Sequence, residues 1–293
     1  MRVLIIGCGY IGIPLGAELV RRGHEVFGLR RGPSAAEALS SAGINSLVAD
    51  ITQPQELEAL PRKFDWVVNC VASSGGGPAE YRETYFHGTR NLLNWLAPDP
   101  PEKFLYTSST SVYGQTDGSL VTEESPSEPA AETGRILVET EHLLMEANRE
   151  QKFPAIILRL AGIYGPGRGY WLARFLDPQT TIEPAGNGWI NMIHRTDAVG
   201  VIFAALTAGR PGQIYNGVDD EPVRRHYFFE WLAGALNRSV PPYSNGDQIK
   251  PRKRGFTDKR VSNHKLKSEL RYGFQFPTYR EGYAEEIRAR AQM

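Results

Sequence analysis

Residues 1–12 read Met1-Arg2-Val3-Leu4-Ile5-Ile6-Gly7-Cys8-Gly9-Tyr10-Ile11-Gly12. A short β-branched apolar run ends at Gly7, and Gly7, Gly9 and Gly12 complete the spacing G-x-G-x-x-G. Helical periodicity follows at once: Ile11, Leu15, Leu19 and Val20 fall on one face, Glu18, Arg21 and Arg22 on the other. Alone, three spaced glycines say little. Between a strand and a helix they predict a dinucleotide turn, in which the first glycine makes the bend, the second admits a pyrophosphate and the third lets helix pack on strand. The phosphates then rest on N–H groups at a helix N-terminus. Tyr10 and Ile11, inside the motif, are counted with the three glycines as cofactor-binding.

The remaining composition fits this reading. The chain has 293 residues, 41% hydrophobic and 23% charged, with 33 basic and 33 acidic side chains. A net charge of zero argues against nucleic acid or an anionic membrane as partner. The one basic cluster, Lys250, Arg252, Lys253, Arg254, Lys259 and Arg260, reads as a local phosphate or surface patch. Cys8 and Cys70 are the only cysteines. Both lie in or beside apolar strands and read as free thiols, which suits a reducing cytoplasm, and no spacing suggests a metal site. The first apolar run is too short for a signal peptide, and no run approaches membrane-spanning length.

Apolar strands are expected at 2–6, 24–29, 46–49, 65–71, 103–108 and 155–160. Helices are expected near 10–22, 34–42, 54–60, 80–97 and 132–151. This alternation predicts an α/β fold, a Rossmann-like doubly wound parallel sheet with ligands at the carboxyl ends of its strands. After residue 165, loop punctuation dominates (165–167, 184–188, 241–246). A helix at 196–208, a strand at 214–216 and helices near 223–237, 263–271 and 279–291 are expected there. The organisation expected is a dinucleotide-binding domain over 1–165, with 190–217 returning to it, and a smaller, mostly helical substrate-binding part over 166–293.

The end of the second strand reads the adenosine ribose, an acid favouring NAD and an arginine NADP. Here the strand ends in Arg30-Arg31, with no acid. A guanidinium grips a 2′-phosphate in bidentate fashion, so NADP is expected over NAD. Asp50, followed by Ile51, is placed either to meet the adenine edge or to cap a turn.

Further stretches carry a resemblance. His87-Gly88-Thr89-Arg90-Asn91-Leu92-Leu93 is similar to G-T-x-N-L-L, and Met192-Ile193-His194-Arg195-Thr196-Asp197 to F-I-H-V-x-D. Thr107-Ser-Ser-Thr-Ser-Val-Tyr-Gly114, Leu158-Arg-Leu-Ala-Gly-Ile-Tyr-Gly-Pro-Gly-Arg168 and Ile214-Tyr-Asn-Gly217 complete the set. In this order the chain resembles the extended branch of the short-chain dehydrogenase/reductase superfamily, the NAD-dependent epimerase/dehydratase family, over nearly its whole length. The resemblance implies a Tyr-x-x-x-Lys pair on one helix, an upstream hydroxyl and a supporting Asn. The Tyr exchanges a proton with substrate, and the Lys lowers its pKa and holds the nicotinamide ribose. Ser109 matches the upstream hydroxyl. The best register over 132–151 puts Thr133 in the Tyr place, Leu137 in the Lys place and Glu141 in a glutamate place. Tyr85 stands in the Asn place.

The chain therefore looks like an atypical member whose reaction centre has changed. Tyr85 or His87 could supply the missing acid or base, though such residues also serve packing or the surface. Tyr113, Tyr164 and His194 read as structural, and Asp197 as a helix cap. Gly165 belongs with the cofactor cradle, and Gly75-Gly76-Gly77 with a loop beside it. Arg168, Lys259 and Arg260 are candidates for a substrate phosphate or carboxylate. The functional expectation is an NADP(H)-binding oxidoreductase or epimerase/dehydratase-like enzyme that moves a hydride on a nucleotide sugar or similar polyol. The alternative is a catalytically silent NADP-binding sensor or interaction protein. A homodimer through helices 80–97 and 132–151 is the expected assembly.

Overall fold

A computed structural model describes all residues except 33, 35, 74, 183–187, 244–256, 292 and 293. Seven strands form its central sheet: β1 (Arg2–Ile6), β2 (Glu25–Arg30), β3 (Asn45–Val48), β4 (Trp66–Asn69), β5 (Lys103–Ser109), β6 (Ala155–Leu160) and β7 (Ile214–Gly217). All pairings are parallel, in the order β7-β6-β5-β4-β1-β2-β3. The order reverses at β1, which pairs β2 on one side and β4 on the other, and this switch opens a crevice at the strands' carboxyl ends.

Alternation along β1 explains why the strand is apolar throughout. Val3 and Ile5 join the core under the Gly12–Arg21 and Arg195–Ala208 helices. Leu4 and Ile6 join the opposite core, with Leu92, Trp95 and Leu96 of the Gly88–Leu96 helix. All four side chains are at most 1% exposed, and each buried aliphatic contributes about 1.5–3 kcal/mol. Both faces are covered by helices, as a parallel sheet requires.

Most expected elements are present within a few residues. One differs in kind. The helix expected at 80–97 is an α-turn (Pro78–Tyr81), a π-helical stretch (Arg82–His87) and a second α-helix (Gly88–Leu96). The π-stretch packs against the Glu132–Gln151 helix, where Arg82 pairs with Glu139 at 2.6 Å. Thr89 accepts from Asn69 Nδ2 of β4 at 3.2 Å, and Asn91 donates to the Ile51 carbonyl at 2.9 Å. The G-T-x-N-L-L stretch is thus a brace that fixes the loop after β3.

Beyond Leu160 the chain forms small two-stranded pairs and a third core of Tyr164, Leu172, Phe175, Phe228, Phe229, Tyr279 and Tyr283. Strand β7 returns from this part to the edge of the main sheet, beside β6. Asp197 does not cap its helix. The cap is the His194 side chain, which accepts from the Thr196 N–H at 3.2 Å. Asp197 is fully buried and accepts from Tyr272 Oη, Gln275 N and Phe276 N at 2.8–2.9 Å, so it anchors the 272–276 segment instead.

Candidate active site

An open cleft of about 1990 Å³ runs from the end of β2, across the glycine turn, to the C-terminal part. Its floor is the turn after β1. Gly7 has φ +77°, and a Cβ there would sit 2.6 Å from the Val71 backbone, so only glycine fits. At Gly9 a Cβ would meet nothing nearer than 3.8 Å. The space above it is open to a ligand. Gly12 does not line the cleft; it presses on Ile5 and Cys8, where a Cβ would come within 3.0–3.2 Å. Among the described residues the N–H groups of Tyr10, Ile11 and Gly12 have no main-chain acceptor, whereas Ile13 N–H already bonds Gly9 O. A helix start with donors to spare and a glycine held back from the surface suits a pyrophosphate.

At the adenosine end, Arg30, Arg31, Asp50 and Ile51 line the cleft. Arg30 leans over the turn and donates to the Cys8 carbonyl at 3.3 Å. Asp50 Oδ1 accepts from Thr52 N at 2.9 Å, which makes it a turn residue as well as a cleft residue. Burial pushes the Cys8 thiol up to about 12 despite Arg30, and burial also raises Cys70. Both cysteines are free, held as thiols beneath the turn.

The reaction end is built by β5. Ser108 and Ser109 both line the cleft; Ser108 donates Oγ to Glu141 Oε1 at 2.5 Å, and Ser109 Oγ accepts from Ser111 N at 3.2 Å. Below them lies a buried network. Arg159, 4% exposed, makes a two-pronged pair with Glu141 and donates to Tyr113 Oη at 2.8 Å; Tyr113 in turn donates to Asn216 Oδ1 at 2.9 Å. The expected glutamate thus serves to hold the serine strand.

Of the residues offered for the missing Tyr and Lys, Leu137 lines the cleft with an aliphatic side chain. Thr133 does not line it; the residue is buried at 9% exposure at the start of its helix. His87 is also off the cleft, 2.9 Å from Arg90 and 3.8 Å from Glu83 on the outer face. Two residues apart on a helix, Tyr85 and His87 point to nearly opposite sides. Tyr85 is the one that faces in. Its phenol oxygen accepts from the Ser73 N–H at 3.1 Å, and its ring lies 4.9 Å from that of Tyr81, which lines the cleft too.

On the substrate side Arg168 lines the cleft, with Gly165 (φ +140°) behind it in the loop. Lys259 and Arg260 do not. Lys259 is 4% exposed and donates Nζ to the Tyr113 carbonyl at 2.8 Å, and burial pushes its ammonium down to about 8. Arg260 Nε bonds the Gly118 carbonyl and its guanidinium lies 5.5 Å from the Trp189 ring. Lys250, Arg252, Lys253 and Arg254 fall outside the described residues. Residues that sequence reasoning missed include Trp171, Trp189 and Arg225, all on the cleft wall, and Arg195 beside Tyr10. Arg195 was readable: it occupies the valine place of F-I-H-V-x-D. Among the described residues no group of acids, histidines and cysteines suits a metal, and no helix is long and apolar enough to cross a membrane.

Comparison with known proteins agrees with this geometry. The model of the NAD dependent epimerase/dehydratase family matches residues 3–216. Protein YeeZ of Escherichia coli K12 is 30% identical over 285 residues, 94% of this chain and 96% of that protein. A solved structure of a putative NAD-dependent epimerase/dehydratase from Methylobacillus flagellatus is 32% identical with a TM-score of 0.78, covering 98% of both chains. The dTDP-glucose 4,6-dehydratase DesIV of Streptomyces venezuelae, solved with NAD and TYD bound, shares the fold at a TM-score of 0.84 and 22% identity, covering 98% of this chain and 96% of its own. From the glycine turn through the serine strand to the returning edge strand, the chain belongs to the NAD dependent epimerase/dehydratase family, the extended class of short-chain dehydrogenases/reductases.

Proposed function

We propose that this chain is an NADP(H)-dependent oxidoreductase of that family, acting on a small anionic substrate of the nucleotide-sugar class. The observation that carries the reading is the continuity of one cleft from Arg30 and Arg31, past the glycine turn, to Ser109 and Tyr85. A bound nicotinamide supplies the hydride donor or acceptor. Arg30 and Arg31 take the 2′-phosphate, a role for which a guanidinium fork is suited and a carboxylate is not. The Tyr10 and Ile11 N–H groups take the pyrophosphate, and Asp50 and Ile51 flank the adenosine.

At the reacting carbon, Ser109 holds the substrate oxygen by a hydrogen bond. Tyr85 exchanges a proton with that oxygen in place of the absent Tyr-x-x-x-Lys pair. The Ser73 N–H, which donates to the phenol oxygen at 3.1 Å, supports this role by holding the hydroxyl at the cleft. Arg168, which lines the cleft beyond the glycine turn, is a cation available to the substrate. In the same reading, two chains pair along the Gly88–Leu96 and Glu132–Gln151 helices.

Titration of the purified chain with NADPH and NADH tests the cofactor reading. Replacing Arg30→Ala together with Arg31→Ala is expected to weaken NADPH by about 100-fold, and NADH by less than about threefold. Equal losses for both cofactors would remove the basis for NADP. Mass spectrometry of small molecules released on denaturation adds the substrate side. NADP with a nucleotide sugar supports an enzyme that recycles its cofactor, whereas dinucleotide and no turnover of released sugars supports a silent binding protein.

A further inference from the structure

Tyr10 is more than a spacer in the glycine motif. The Arg168 guanidinium lies 5.2 Å from the centroid of its ring, and the Arg195 guanidinium lies 4.9 Å from it. The phenol hydroxyl donates to the Pro166 carbonyl at 3.3 Å. One ring thus ties together the turn after β1, the 165–169 loop and the first residue of the Arg195–Ala208 helix. Among the described residues neither guanidinium has a carboxylate within ion-pair distance or a hydrogen-bond acceptor. Burial raises the Tyr10 phenol, with Arg195 and Arg168 pulling it down and Glu286 of the last helix pushing it up. The ring therefore sits in the field of both cations.

Two cations gathered on one neutral ring are each drawn weakly to its quadrupole, and they repel one another. Such an arrangement is incomplete without an anion. Beside it, the Tyr10 and Ile11 N–H groups have no main-chain acceptor among the described residues, and both residues line the cleft. We propose that Arg168 and Arg195 form a guanidinium clamp over the dinucleotide's pyrophosphate, with Tyr10 as the post that sets both arginines in place. The main chain takes the inner phosphate oxygens and the clamp takes the outer ones. Arg168 is thereby moved from the substrate to the cofactor, and Arg195 gains a role that its place at a helix N-terminus does not by itself assign. Gly165 and Gly167, with φ +140° and +74°, give the loop the bend that carries Arg168 across.

The inference rests on the dinucleotide reading, and its test separates the two. Isothermal titration of the full chain with NADPH and with NADH is compared for wild type, Arg168→Gln and Arg195→Gln. The pyrophosphate is common to both cofactors. Each variant is therefore expected to weaken both by the same factor, about tenfold, leaving the NADPH/NADH ratio unchanged and flattening the salt dependence of binding. Arg195→Lys keeps the charge, loses the planar fork and should fall between wild type and Arg195→Gln. Affinities within twofold of wild type for both arginine variants overturn the clamp. So does a loss confined to added UDP or dTDP, which would return the arginines to the substrate. If Arg195→Gln lowers the melting temperature, the exposed Arg168 alone decides. Failure of the wild type to bind either dinucleotide overturns both readings. A lost NADPH preference with the clamp effect intact overturns only the choice of NADP.

Discussion

Lys259 carries a cation into the protein interior with the Tyr113 carbonyl as its hydrogen-bond partner, and burial is the cause of its lowered pKa. Unfolded, its ammonium titrates near the ordinary 10.5; folded, near 8. Between those values the unfolded chain holds a proton that the native chain has released. Stability contributed by this residue therefore rises with pH from about 8 to about 10.5 and is absent below about 8, by at most about 3 kcal/mol. Lys259→Met keeps the stem and removes the titration. Urea melts at pH 7.5 and 10 should show the variant gaining on the wild type at the lower pH, with that advantage shrinking at the higher. Parallel pH curves for the two proteins would sink the idea. This burial was not legible, because a lysine beside an arginine in a basic cluster reads as a phosphate or surface patch. Ser109 is the opposite case: its place ahead of Val112-Tyr113-Gly114 singled it out, and it lines the cleft.

At the scale of an element, the strand, turn and helix at residues 2–21 were legible because local rules agree there: β-branched residues, glycine spacing and helical periodicity point one way. The first two glycines of that motif nevertheless do different work. Gly7→Ala forces a Cβ within 2.6 Å of the Val71 main chain at a positive φ, so β1 and β4 must part. A loss of about 3 kcal/mol or more is expected, with dinucleotide binding lost alongside. Gly9→Ala meets no protein atom nearer than 3.8 Å. Its melting temperature should stay within about 2 °C of wild type while dinucleotide affinity falls at least about tenfold, since the new methyl occupies the pyrophosphate's approach. Equal thermal losses for both variants would show that the Gly9 space is structural. The π-helical stretch at Arg82–His87 was not legible. No residue type marks one extra residue in a turn, and the stretch is held by partners from other elements, Arg82 on Glu139 and Tyr85 on Ser73.

Over the whole molecule, the parallel sheet followed from the pattern of strands and helices, and the strand expected at 214–216 pairs at its edge as Ile214–Gly217. The wall of the cleft did not follow from that pattern. Trp171 and Trp189 come from short elements and Arg225 from the first residue of the Arg225–Leu236 helix, and their meeting on one wall depends on contacts between distant segments. What fixes those segments to the sheet is concentrated in few places, and Asp197 is the clearest. It sits at the start of the Arg195–Ala208 helix, which packs on the same core as β1, and it holds Tyr272, Gln275 and Phe276 from the chain's last fifth. Removing the carboxylate leaves two main-chain N–H groups and a phenol without their acceptor. Asp197→Ala is expected to cost about 3 kcal/mol or more in urea unfolding. Asp197→Asn, which keeps the shape but accepts through one oxygen, should recover part of that loss. Hydrogen exchange then locates the damage. If the anchor works as described, amides of the 264–287 region lose protection in Asp197→Ala while those of β1 and β4 keep theirs. Uniform loss across the sheet would mean that the two parts unfold as one unit, with Asp197 as one more core residue.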